Sequence, residues 1–284
     1  MRHHFNKKNI MSRVALVVGI VSIFFGILFF LFRTYRNSPS MDHFDGGGSR
    51  RTAPSIQLVV ARYNEDLEWL KEDPYSKYEN VIYNKSDNQN FTKSDNTHST
   101  VNLPNVGRCD HTYLHHIIEN YDNLANITVF LPGSLNMEYK NAKAKRLLKA
   151  IGSHKQNVFM GRRFDNVKDT YNSFQMDEWK ATDSQNAAKN PETNLHLSEI
   201  RPFGKWYESK FKDKNVEYVS FAGIFSVSRN EILQHPKTYY EDLIQDLEKS
   251  SNPEVGHYFE RAWNAVFHPM TETKFIENAN DPYE

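Results

Sequence analysis

With one cysteine, Cys109, in 284 residues, the chain cannot close an internal disulfide, so its fold must rest on its core in any compartment. Surplus charge is missing too. Thirty-five Lys and Arg balance thirty-five Asp and Glu, which gives no basic face for nucleic-acid phosphates, and no nucleic-acid partner is expected. There is no Walker A loop, no G-x-G-x-x-G, no G-x-S-x-G elbow and no Cys or His zinc spacing. A clean Asp-x-Asp, the pair that holds a divalent ion in many sites, is absent as well. Asp165 with Asp169 and Asp177 with Glu178 are weaker substitutes, and the metal ligands stay unknown.

One long apolar run is present. Val14 to Phe32 is nineteen residues without a charge. At about 1.5 Å per residue it covers roughly 28 Å, close to a hydrocarbon core. A signal peptide's apolar core usually runs only about 7–15 residues to a small-residue cleavage site. Here the run ends in FFLFRTYR, so a retained transmembrane anchor is expected. Arg2, Lys7, Lys8 and Arg13 precede it, and Arg33 and Arg36 follow, which puts the short N-terminus in the cytosol. The expected layout is a cytosolic tail (1–13), an anchor (14–32), a flexible Ser/Pro/Gly stem (33–54) and a compact domain (55–284). That is a single-pass type II membrane protein with its bulk luminal or extracytosolic. Three sequons, at Asn84, Asn90 and Asn126, agree with this orientation.

Within the compact domain, IQLVVA (56–61) reads as a buried strand, and 84–102 reads as a polar surface loop. Leu114, Ile117, Ile118 and Tyr121 fall at helical spacing, with Asp110 placed as N-cap. ITVFLPG (127–133) is a strand, 138–151 a basic helix and NVFMG (157–161) a strand. Residues 162–215 read as polar and irregular, 216–228 as one or two strands, and 238–249 and the stretch from Pro253 as helices. Short alternation of strand and helix predicts α/β architecture with a mostly parallel sheet and flanking helices.

Three stretches could carry chemistry. Arg62, Tyr63, Asn64, Glu65 and Asp66 follow the first strand, where ligands of open α/β sheets bind. Plain helix capping by Asn64 and first-turn acids explains the same residues. Gly107 and Arg108 precede a helix N-terminus, a natural anion site. His111 and His115 stand one turn apart, but Thr112 occupies the place where a zincin motif needs Glu. In PEVGHYFERAWNAVF, Glu260 and Arg261 flank a Phe/Trp/Phe stripe; Glu260 fits a general base or an internal bridge equally well.

Taken in order, RYNEDLEWL, NVGRCDHTYLHHIIENYDNL, TVFLPG, FAGIFSVSRNEIL and HYFERAWNAVF resemble a family of fungal and giant-virus proteins with glycosyltransferase-like members. The motifs look similar to those of chlorella-virus enzymes that build the capsid glycan. The resemblance covers about residues 56–268. Two positions depart from its pattern: Cys109 stands where the family usually has Glu, and Phe130-Leu131-Pro132-Gly133 where it often has F-x-Q-G or F-x-H-G.

The resemblance implies a GT-A-like, Rossmann-type fold and transfer of a sugar from a nucleotide donor, a UDP-sugar such as UDP-xylose, to a glycan acceptor. Manganese or magnesium would be the cofactor if one is used. Glu260 is then the expected base, with Asp66 and Asp110 behind it. Arg62 and Arg108 are the expected diphosphate clamps, beside Tyr63, Asn64, Glu65, Gly107 and His111 in the donor pocket. Trp179, Trp206 and Arg261 are the expected acceptor contacts. The competing reading is an inactive, membrane-anchored carbohydrate-binding or scaffold protein, favoured by the missing Asp-x-Asp. A two-carboxylate hydrolase, which needs no nucleotide donor, is a third.

Overall fold

The computed structural model describes residues 56–179, 194–212, 214–279 and 281. The expected tail, anchor and stem lie outside these residues. Among the described residues, no helix is long and apolar enough to cross a membrane.

Strand β1 (Ile56–Arg62) is the centre of a five-stranded sheet. It pairs in parallel with β2 (Glu79–Asn84) on one side and β4 (Ile127–Pro132) on the other. Beyond β2 lies parallel β3 (Thr97–Asn102), and beyond β4 lies antiparallel β7 (Phe225–Ser228). A three-stranded sheet has β5 (Val158–Arg163) between β6 (Tyr218–Val219) and β8 (Lys274–Glu277). Ser226 on β7 donates to the Val158 carbonyl at the start of β5 (2.7 Å), joining the two sheets. The mixed α/β fold with a mostly parallel central sheet agrees with the sequence expectation.

Alternation along β1 sends successive side chains to opposite faces. Val59 and Ala61 enter one core cluster with Leu114 and Ile117 of helix α1 (Arg108–Glu119). Leu58 and Val60 enter a second with Leu147, Leu148 and Ile151 of helix α2 (Glu138–His154). Both faces are covered, which is why the strand reads as an unbroken apolar run. Helices α3 (Val167–Thr170), α4 (Phe203–Phe211), α5 (Arg229–Leu233), α6 (Lys237–Ile244) and α7 (Glu254–Val266) complete the described set. On α7 the four-residue stripe is core: Phe259, Trp263 and the following Phe267 are all 0% exposed.

Several local expectations change. Residues 84–102 are not one loop, because Thr97–Asn102 forms β3. As an edge strand it keeps one side toward solvent and carries little apolar patterning. Part of the supposed irregular region is α4, whose Phe203, Trp206, Tyr207 and Phe211 are buried. Asp110 does not cap α1; the N-cap is Gly107, and Asp110 stands in the first turn.

Candidate functional site

The chain leaves β1 for β2 and β3 on one side and returns to the other side as β4, so sheet order reverses between β1 and β4. A crevice beyond the carboxyl ends of such strands is the binding position of an open α/β sheet. Here the two ends are tied by the Gly133 N–H donating to the Ala61 carbonyl (2.6 Å). Glu65 follows β1, and its carboxylate accepts the Tyr63 N–H (2.7 Å). From α2, Lys140 donates to Ser134 Oγ (2.8 Å). Burial lowers the Lys140 pKa, while Cys109, Glu260 and Glu65 pull it back up.

The start of α1 forms the next wall. Gly107 and Arg108 both take left-handed backbone, at φ 59° and 51°, and no side chain caps the helix. Lys85, directly after β2, donates to the Val106 carbonyl (2.5 Å) and to that of Arg108, and so fixes the entry to the helix. Lys85 is 8% exposed, and burial drives its pKa down to about 7. The leading amides of α1 add the positive end of a helix dipole.

Among the described residues, the hydrogen-bond partners of the Arg108 guanidinium are neutral. Its Nη1 donates to Asn252 Oδ1 (3.2 Å) and lies 3.3 Å from His257 Nε2, and its guanidinium stacks on Trp179 at 4.0 Å. Burial first, then Arg108 and Arg261, push the His257 pKa well down, so this imidazole is neutral. Arg261 donates to the His257 carbonyl (2.9 Å) and lies 3.7 Å over Phe174.

Two acids from α1 and α7 differ in exposure. Asp110 is 3% exposed and accepts the Trp263 indole N–H (3.1 Å). Burial, then the nearby Glu260 charge, raise its pKa to about 7. The Glu260 side chain keeps 22% exposure, with Arg261 Nη1 3.9 Å away. Its Oε1 accepts the Ala222 N–H (2.7 Å). Ala222 is itself left-handed, φ 65°, a conformation that costs a non-glycine residue energy and needs bracing. Lys143 holds the Phe221 carbonyl (2.7 Å) and Tyr113 the Gly223 carbonyl (2.8 Å), one on each side of it.

The structure thus gathers Glu65, Gly107, Arg108, Asp110, Trp179, Glu260 and Arg261 from the expected set and separates others from it. Arg62 is 1% exposed and is consumed as a strut. It donates to the Tyr63, Glu65 and Asn88 carbonyls and to Asn84 Oδ1, with Phe91 over its guanidinium at 3.8 Å. Its burial and these bonds leave it bracing the turn after β1 and not exposed as a diphosphate clamp. Asp66 is exposed and accepts the Glu68 N–H (3.2 Å) just before the 3₁₀ turn Glu68–Lys71, whose N-cap is Leu67 and not Asn64. Asn64 instead accepts from Ser86 Oγ, and Tyr63 is half-buried.

Trp206 is 1% exposed among Phe211, Tyr258 and Phe259, with its indole N–H on Asp246 (3.0 Å); no ring face is open to a sugar. His111 is 5% exposed and stacks on His115 at 6.1 Å. Burial drops its pKa to about 3, and its Nδ1 has no partner. Among the described residues no group of three or more His, Cys, Asp and Glu side chains could hold a metal.

Sequence reasoning missed Lys85, Lys140, Asn252 and His257 as site residues. Lys85 directly follows β2, as Tyr63 follows β1, but β2 was not read from the sequence. The buried Glu254 was also missed. It accepts the Met176 and Ser198 amides (2.9 Å each) and the Tyr258 hydroxyl (2.8 Å), and pairs with Arg201 (3.0 Å).

Cations and carboxylates thus gather where the carboxyl ends of β1 and β4 meet the start of α1 in a mixed α/β domain. The chain belongs to the family described as Protein of unknown function (DUF3431), whose model matches residues 58–282. No curated protein matches it.

Proposed function

We propose that the protein is a nucleotide-sugar glycosyltransferase of GT-A-like fold, with Glu260 as the base that deprotonates an acceptor hydroxyl. One observation carries this reading: the start of α1 and α7 bring cation and carboxylate together, Arg108 meeting Asn252 and His257, Asp110 meeting Trp263, and Glu260 held by the Ala222 N–H. Sugar transfer needs that pairing of functions. A carboxylate must take a proton while cations receive the charge of the departing diphosphate.

Glu260 is the better base of the two central acids. It is the more exposed, and the braced Ala222 amide fixes its orientation. Asp110 orients α7 through Trp263. The acceptor oxygen attacks the sugar's anomeric carbon, the bond to the diphosphate breaks, and Lys140, Arg108 and the leading amides of α1 stabilise the leaving group. Trp179 and Arg261 form the acceptor side. The donor class is a UDP-sugar, with UDP-xylose the first to try, and the product a glycan facing the lumen or cell surface.

The test is a panel of nucleotide sugars offered to the purified full-length protein with and without manganese, with donor hydrolysis as readout. Turnover is expected, and Glu260→Gln should lower it about 100-fold or more. An unchanged rate in that variant sinks the base assignment. Thermal stabilisation by sugars without turnover of any donor would favour the carbohydrate-binding module, and hydrolysis of a glycan without a donor the two-carboxylate hydrolase.

A further inference from the structure

The three sequons have different fates in the fold. Asn84 is 1% exposed at the end of β2. Its Oδ1 accepts from Arg62 (2.6 Å), and its Nδ2 donates to the Ser86 carbonyl (2.8 Å). A sugar on that nitrogen would need space where none exists and would unseat the Arg62 strut. Asn90 is exposed on the segment between β2 and β3. Its backbone N–H is held by Asn88 Oδ1 (2.9 Å), and Thr92, the third residue of its sequon, donates to Glu68. Asn126 is also exposed, one residue before β4. Its carbonyl accepts the Arg229 N–H (2.9 Å), a bond that leaves the side-chain amide out of the pairing. A six-residue strand at about 3.3 Å per residue puts it about 20 Å from the crevice, at the opposite pole of the sheet.

We infer that Asn90 and Asn126 are N-glycosylation sites and that Asn84 stays unmodified. This rests on the extracytosolic placement of the domain and is independent of what the crevice binds. In the modification the asparagine Nδ2 attacks C1 of a lipid-diphosphate-linked oligosaccharide. A C–N bond forms, the C–O bond to the diphosphate breaks, the amide gives up a proton and the lipid diphosphate leaves. Thr128 is buried in β4, so Asn126 is modified before that strand packs. Asn84 can be modified only at the expense of folding, which removes such molecules from the native pool.

The test is expression of the full chain in a eukaryotic host, followed by endoglycosidase release in heavy-oxygen water and peptide mapping. Label is expected at Asn90 and Asn126, and unmodified Asn84 in the same peptides. Asn90→Gln and Asn126→Gln should each remove one glycan step on a gel. Occupied Asn84 in folded, protease-resistant protein overturns the assignment, as do empty Asn90 and Asn126. Protease protection of a C-terminal tag in sealed microsomes separates the two ways of finding no glycan. A protected tag with empty sites refutes the sites alone; a digested tag refutes the placement as well.

Discussion

Arg62 and Arg108 carry the same guanidinium into opposite situations. The first spends its donors on three carbonyls and an amide, buried at 1% exposure. The second, among the described residues, hydrogen-bonds neutral groups and stacks on an aromatic face. Hydrogen bonds to a charged group contribute about 1.5–3 kcal/mol each, and acceptors left bare in a buried site add to the loss. Arg62→Ala should therefore destabilise the protein by about 3 kcal/mol or more. The urea midpoint would report it, and a change within error would show that Arg62 is no strut. Arg108→Ala should leave that midpoint nearly unchanged while weakening the proposed UDP-sugar binding about 10-fold, the loss of one charge-assisted contact. Calorimetry distinguishes the two variants. Equal stability losses would contradict the division of roles.

Between elements, α7 meets the start of α1 at Gly256. A Cβ there would stand 3.0 Å from Arg108 Cδ and 3.4 Å from Asp110 Oδ2. Gly256→Ala replaces glycine inside a helix, a gain of about 1 kcal/mol in propensity. The displaced Arg108 is a flexible side chain, so the fold should hold or become slightly more stable while affinity for the proposed donor falls several-fold. Loss of affinity and stability together would mean that the helices, and not Arg108, had moved. Gly107 is a different case: it is left-handed, and a Cβ would meet His111 Cβ at 2.5 Å, so substitution there acts on the fold.

Across the whole molecule, the buried histidines make stability depend on pH. His116 is fully buried beside Tyr83 (2.9 Å), and burial lowers its pKa to about 3. An unfolded histidine titrates near 6.5, so below that pH the unfolded chain binds a proton that the native state refuses. The stabilisation is present above pH about 6.5 and is lost as pH falls, by about 2 kcal/mol at pH 5. Asp110 has the opposite sign: with its pKa raised to about 7, the native state keeps a proton that the unfolded chain releases above about 3.8. Comparing His116→Asn with the parent at each pH cancels the Asp110 contribution. The parent should lose more stability than the variant between pH 8 and 5. Parallel pH profiles would refute a neutral, proton-refusing His116.

The strand at 56–61, the α1 and α7 stripes and the α/β alternation were legible in the sequence because each is a periodic pattern within a few turns or residues of chain. β3 was not, since an edge strand half open to water needs no apolar repeat, and α4 was hidden among charged neighbours. The site divides the same way. Glu65, Arg108 and Glu260 could be nominated from their places beside strand and helix ends. Whether a cation is free or already spent depends on partners remote in sequence. Arg62 meets Asn84 across 22 positions, and Trp263 meets Asp110 across 153. The sequence by itself determined the periodic elements and the chemical types near their ends. Only the tertiary structure decided which of those groups face the crevice, because burial and pairing are properties of segments brought together by folding.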